Sequence, residues 1–273
     1  MRSTPLSTTR NTLAAMGAAY RVGLASALAA WPVLLGRAIF YGVCLMVLVT
    51  FWDKVSAARL AGTLAVRLPP GGLGVYIGVT EWITLSVPAV QLRLEDDIRS
   101  GALEPHLLRP KPYLAQTLAG EAGAMSARLV MLGCAGLLLL ALTGRAASAA
   151  ALAEAGVLGV LGAAIGLMLY TVVGLTGFWL RRVLPALLIT QKLMFILGGL
   201  FAPISLYPGW LHALAAASPF GAHLAFAGQA VLAPSWPGFA AALAAQAFWL
   251  AALALIATGV WRAGLAKLLT AGV

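Results

Sequence analysis

The sequence predicts an all-α, polytopic membrane protein, a single transmembrane domain over residues 1–273 with six transmembrane helices. Three observations carry this reading. The chain is 62% hydrophobic and only 10% charged, against about 25% charged residues in soluble domains. Its mean hydropathy of +0.95 means more apolar surface than a globular core of this size could hide. The apolar residues also fall into runs of about 20, the length that crosses hydrocarbon.

Residues 11–30 read as a helix ahead of the first span. Tyr20, Leu24 and Leu28 fall at helical spacing, and Arg10 and Arg21 flank them. An interfacial helix fits this pattern; the other reading is the start of one long tilted span. The spans themselves are expected at 34–52, 72–92, 121–143, 155–180, 183–204 and 239–261. Met1 to Thr12 is polar, and Arg21 and Arg37 interrupt the apolar stretch that follows. No cleavable signal pattern is therefore expected.

A polar island, 93–112, follows the second span. It holds four of the eight acids and four of the eighteen basic residues. The second span is expected to continue through Glu95, Asp96, Asp97, Ile98 and Arg99, with Glu95 and Arg99 as an i,i+4 pair. Gly101 suits a left-handed stop, and Pro105 suits the first turn of a new helix. Leu103, Leu107 and Leu108 give that helix an apolar side; Arg109 follows, and Pro110 and Pro112 end it. The expected result is a short amphipathic helix just inside the membrane. It is either a docking surface for a soluble partner or an ordinary solvated loop.

From Leu193 to Trp261 there is no Asp, Glu, Lys or Arg, and Pro203, Pro208, Pro219, Pro234 and Pro237 punctuate the run. Proline removes a backbone donor and disfavours helix in the preceding residue. Residues 205–238 are therefore expected as broken, re-entrant helices at the outer face, with Trp210 and Trp236 at headgroup depth.

Net charge is +10. The basic residues sit at the ends of apolar runs rather than in one patch, which excludes nucleic acid and follows the positive-inside bias. Arg2, Arg10, Arg21, the 93–128 cluster, Arg181, Arg182, Arg262 and Lys267 would be inside, with both termini. Lys54, Arg59, Arg67 and Arg145 would be outside, and Arg37 and Lys192 near span ends.

Few residues suggest chemistry. Cys44 and Cys134 lie in apolar runs and read as buried small hydrophobes. His106, His212 and His223 are far apart in this topology, so no metal site is expected. No Gly-x-x-x-x-Gly-Lys-Ser/Thr loop, His-Glu-x-x-His or Gly-x-Ser-x-Gly occurs, so no catalytic residues and no cofactor are expected in this chain. Glu81 is the one acid well inside a span. It is read as a contact on the substrate path or as a polar lock with Arg37; the other reading places it shallow enough to reach headgroups. Glu121 reads as a boundary residue. Gly133, Gly136, Gly156, Gly159, Gly162 and Gly166 read as packing positions for close helix approach.

The island matches a pattern: acid-x-Ile-x-x-Gly-x-Leu-x-x-x-Leu-Leu-x-Pro, filled by Asp96, Ile98, Gly101, Leu103, Leu107, Leu108 and Pro110. Two more stretches accompany it: Gly199-Leu-Phe201-Ala-Pro203-Ile-Ser-Leu-Tyr-Pro208-Gly-Trp210-Leu with Ser218-Pro219-Phe220, and Phe178-Trp179-Leu180. In order and spacing, over residues 20–262, these resemble the permease subunits of ABC-2 type exporters. The closest fit is the branch with paired six-span permeases. That resemblance implies a type V exporter-like fold with residues 11–30 as a cytoplasmic elbow helix. It implies that Glu95 to Arg99, Gly101, Leu103, Leu107, Leu108, Arg109 and Pro110 couple to an ATPase. It also implies an outer gate at Phe201, Pro203, Pro208, Trp210, Pro219 and Phe220. The implied partners are two copies of an ATP-binding-cassette ATPase, which would carry ATP and Mg, and a second permease, expected as a different homologous chain. The implied location is the bacterial cytoplasmic (inner) membrane.

A secondary transporter or a membrane-embedded enzyme is the alternative. Either needs paired ionisable groups on an intramembrane path, and apart from Glu81 the spans lack them. A structural subunit with no path is a third reading. The nearly uncharged interior suggests an amphipathic or lipid-like cargo.

Overall fold

A chain in hydrocarbon must satisfy its own backbone, and helix does so segment by segment. The computed structural model describes residues 5–57, 71–107, 112–144 and 147–270, and no strand occurs among them. Helices α1 (Pro5–Ala29) and α2 (Trp31–Ala57) are separated at Ala30, where Pro32 interrupts the ladder. Next come α3 (Gly72–Ser86), α4 (Val90–Arg99), α5 (Glu104–Leu107) and α6 (Tyr113–Leu142). Helix α7 (Ala149–Leu175) is extended by a 3₁₀ turn at Thr176–Phe178, and α8 (Leu184–Leu197) follows. The broken region contains a 3₁₀ turn at Ile204–Leu206, α9 (Gly209–Ala217), a π-helical turn at Gly221–Ala225 and α10 (Phe226–Leu232). Helix α11 (Trp236–Thr270) closes the bundle.

Six helical stretches are long and apolar enough to cross a membrane: Asn11–Ala29, Trp31–Trp52, Gly72–Arg99, Tyr113–Leu142, Ala149–Phe178 and Trp236–Thr270. The protein is thus an all-α polytopic membrane protein, but the six are not quite the expected six. Residues 183–204 were expected as a span. Instead, α8 has 14 residues, about 21 Å of helix. It stops where Gly199 takes a left-handed φ of 70°, and the Tyr76 hydroxyl donates to the Gly199 carbonyl at 2.7 Å. Residues 11–30 were expected as an interfacial helix; Asn11–Ala29 has the length and hydropathy of a span. They lie against the first half of α6, where Gly23 meets Gly120 backbone to backbone and Tyr20 donates to Ser126 at 2.9 Å.

The centre of the fold is α7. Its small residues admit large neighbours: Gly159 faces the Trp82 ring, Gly162 and Gly166 face His223, and Gly174 faces Gln91 and Leu94. The close approach read from Gly162-x-x-x-Gly166 therefore exists, and its partner is the π-helical turn. That turn and α10 are buried, with Ala222, Leu224, Ala225 and Ala227 fully enclosed. The sequence reading of 205–238 as broken helices holds for this region, and its backbone is covered by protein as the medium requires.

Alanine at two α7 positions tests this centre. A Cβ at Gly162 would sit 2.3 Å from the His223 carbonyl oxygen, while one at Gly156 meets nothing within 4 Å. Gly162→Ala is expected to destabilise by about 1–3 kcal/mol through overpacking. Gly156→Ala is expected to be neutral or to stabilise by up to about 1 kcal/mol through helix propensity. Thermal unfolding of the two purified variants in detergent measures the difference.

Candidate functional site: the α4–α5 platform

The platform begins at Pro88, not at the bilayer edge. Val87, the residue before it, is extended at φ −70°, ψ 126°, as pre-proline sterics favour. The expected continuous helix through Arg99 is therefore two helices, with a break at 87–89. The signal was in the sequence, since the 72–92 reading ran through a proline.

Freed from α3, α4 packs across the end of α7. Val90, Gln91 and Leu94 are buried. A Cβ on Gly174 would stand 2.8 Å from the Gln91 Cα and 2.9 Å from the Leu94 Cβ, so only glycine lets the two helices touch here. Ile98 continues the apolar side against Gly177. Asp96, Arg99 and Ser100 lie exposed on the other side.

The charges pair differently from the expected Glu95–Arg99 couple. Glu95 lies 3.7 Å from Arg182, in the link between α7 and α8. Arg93 meets Glu121 of α6 at 3.2 Å and Asp97 at 3.9 Å. The Tyr113 hydroxyl, at the start of α6, donates to Asp97. Each of these ion pairs is partly exposed, so each contributes about 0–1 kcal/mol. The two that leave α4, with the Tyr113 hydrogen bond, set its orientation against α6 and the α7–α8 link. Glu121, read as a boundary residue, is thus part of the platform. The sequence does not mark Tyr113 or pair Arg182, read only as an inner-side charge, with Glu95, because a contact across 16 or 87 residues leaves no local signature.

Gly101 ends the helix as expected, at φ 76°. The Leu103 amide then donates to the Asp97 carbonyl at 3.2 Å, and the Leu103 side chain is buried at 1% exposure. Helix α5 begins at Glu104, and Glu104, Pro105 and His106 are exposed. Leu107 ends the described backbone; Leu108, Arg109 and Pro110 lie outside the described residues. Below the platform, Tyr113 stacks on Trp261 of α11 at 5.6 Å, and Trp261 meets Phe178 edge-on. Lys267 donates to the Phe178 carbonyl at 3.0 Å. The ends of α4, α7 and α11 and the start of α6 are therefore one packed unit.

The intramembrane pair is corrected. The Arg37 guanidinium donates to the Leu85 carbonyl at 3.4 Å, one turn beyond Glu81. No ion pair joins Arg37 to Glu81 among the described residues. The Tyr41 hydroxyl of α2 donates to the Gly78 carbonyl, three residues before Glu81, at 2.9 Å. Near them lies an apolar cavity of about 460 Å³, lined by Tyr41, Leu45, Trp82 and Gly136.

The expected gate residues occupy three settings. Phe201 belongs to an aromatic cluster with Phe51, Trp52 and Phe195, at centroid separations of 5.5–6.1 Å. Pro203 is buried, whereas Pro208 and Trp210 are exposed, Trp210 at 72%. Pro219 and Phe220 are half-buried at the entry to the π-helical turn, and Ser218 caps that entry by accepting from the Gly221 amide at 3.1 Å. The structure does not bring these six into one constriction within the chain.

Residues 73–272 match the model of a family described as ABC-2 family transporter protein. The chain belongs to that family, whose members are membrane components of transporters. A search of curated proteins found no match. The matched range contains the whole platform and begins one residue into α3.

Truncating Leu94 tests whether α4 is built into the fold. Leu94→Ala removes a fully buried side chain and is expected to cost about 2–5 kcal/mol. Asp96→Ala, on the exposed side, should stay within about 0.5 kcal/mol. Equal losses of thermal stability for the two would show that α4 is not anchored through its apolar face.

Proposed function

We propose that the chain is the permease subunit of an ATP-driven exporter whose ATPase is a separate chain, and that α4 and α5 are the elements the ATPase holds. The observation that carries this is a division of labour on one short segment. Leu94, Leu103, Arg93, Glu95 and Asp97 tie the platform to the bundle, while Asp96, Arg99 and Glu104 are exposed and form no ion pair among the described residues. A solvated loop needs no such anchoring. A coupling element does, because motion imposed on it has to reach the spans.

Membership of the ABC-2 family and the lack of a phosphate-binding loop in the sequence support a partner that supplies ATP hydrolysis. The complex on this reading holds two ATPase copies, which carry ATP and Mg, and a second, homologous permease. The end bearing α4, α5, Arg181, Arg182, Arg262 and Lys267 is the more basic and faces the cytoplasm, with both termini. The membrane is the bacterial cytoplasmic one, α1 is the elbow helix, and the shorter apolar helix α8 makes the sixth crossing that brings both termini to the cytoplasm. Phe201, Trp210 and the turn after Pro219 form the outer gate together with the second permease.

Charge reversal on the exposed side tests the reading. The chain is co-expressed with the ATPase encoded beside it, and the complex is purified and assayed for ATP turnover. Asp96→Arg and Arg99→Glu should each reduce co-purification and permease-dependent turnover at least several-fold, without changing the thermal stability of the permease alone. Unchanged assembly and turnover in both variants would sink the coupling role.

A further inference from the structure

The outer end of the bundle holds a second cavity, of about 620 Å³, between α7, α9, α10 and α11. Its polar lining is Glu154, Ser205, His212, Gln229 and Ser235, and its apolar walls include Leu158 and Phe239. Glu154 is the one acid between Glu121 and the last residue of the sequence. Its Oε2 is buried with no hydrogen-bond partner, and no ion pair involves it among the described residues. From Leu193 to Trp261 the sequence offers no lysine or arginine to answer it. A carboxylate in such a wall is costly without a donor.

The neighbouring groups supply acceptors as well. The His212 Nδ1 lies 2.9 Å from the Ile204 carbonyl. A carbonyl only accepts, so Nδ1 carries the hydrogen and the Nε2 of the neutral ring is an acceptor. Gln229, Ser205 and Ser235 are neutral and can accept too, so among the described residues the lining holds no cation to answer Glu154.

Polarity is also graded along the cavity. Glu154 is five residues into α7, about 8 Å from its start, and Leu158 lies one turn deeper. On α11, Gly238 and Phe239 near the start give way to Ala241, Ala242 and Ala245. Acceptors sit at the end of the bundle, and apolar side chains line the way in.

We propose that this cavity binds a long-chain primary amine, an amphiphile whose ammonium group is held by Glu154, His212 and Gln229 and whose chain runs inward past Leu158. The proposal deepens the exporter reading by naming a class of cargo. The binding is tested without ATPase or ATP, so each reading can fail while the other stands.

The probe is dodecylamine carrying a diazirine near the end of its chain, added to the purified protein in phosphatidylcholine nanodiscs. Photolabelling should map to the peptides containing Leu158 and residues 241–245. Excess dodecylamine should suppress it, while dodecanoate and dodecanol at the same concentration should not. Glu154→Gln keeps the shape of the side chain and should reduce labelling about tenfold, the effect of losing one charged hydrogen-bond partner. Gln229→Leu should reduce it several-fold. Equal competition by dodecanoate, or full labelling of a folded Glu154→Gln protein, would overturn the proposal. The competition series needs no variant and decides the matter even if Glu154→Gln fails to fold.

Discussion

Buried backbone carbonyls in a nearly charge-free bundle need donors, and the fold depends on meeting that need. The chain interrupts its helices at several points inside the protein, and each interruption frees carbonyl groups that hydrocarbon cannot solvate. Long, uncharged side chains from neighbouring helices donate to such groups at Gly199 and Ala222, and add second bonds to carbonyls inside intact helices. Tyr76 reaches Gly199, Tyr41 reaches Gly78, and Trp82 reaches Leu129, at 2.7–2.9 Å. Gln246 bonds the carbonyls of Leu158 and Ala222 at 2.9 Å each, and His223 bonds Gly162 at 2.8 Å. These bonds hold the π-helical turn and α10 inside the bundle. They also explain why the region can dispense with charge.

Glycine provides the room for those donors. The rings of Trp82 and His223 lie where side chains on Gly159 and Gly166 would be. The helices so joined are too apolar to be sorted by hydrophobicity alone, since lipid is as apolar as their side chains. Shape and hydrogen bonding then decide which faces meet. At the other end, where α4 and α5 lie, the rule changes. Ion pairs at the water boundary are individually weak, but two of them, with the Tyr113 hydrogen bond, tie one ten-residue helix to both α6 and the α7–α8 link.

The elements of the fold were legible wherever a single local rule governs. Runs of about 20 apolar residues located most spans, Gly101 announced its left-handed turn, and the prolines after Leu193 announced broken helices. Two elements escaped. Pro88 sits in a hydrophobic run, and hydropathy outweighed its steric signal, so α3 and α4 read as one. The segment 183–204 has the composition of a span, but its helix ends at Leu197, ahead of a left-handed Gly199 whose carbonyl is held by Tyr76, over a hundred residues away. Partnerships were harder still. The exposed and anchored charges of 93–112 look alike in sequence, and the tether of Glu95 is Arg182 rather than Arg99. Glu154 drew no notice, since an acid six residues after a loop looks like a span boundary until the wall around it is seen.

The glycine seam of α7 has a mechanical consequence. The helix touches α4 at Gly174 and contributes Glu154 to the wall of the outer cavity, twenty residues away, or about 30 Å along the axis. Between these points it is an unbroken α-helix. It therefore serves as a connecting rod, with a bearing at one end and a chamber wall at the other. Because glycine contacts are backbone contacts, the bearing has little play. A load placed on α4 therefore meets α7 with little slack in flexible side chains, at the far end of the helix whose first turns line the chamber.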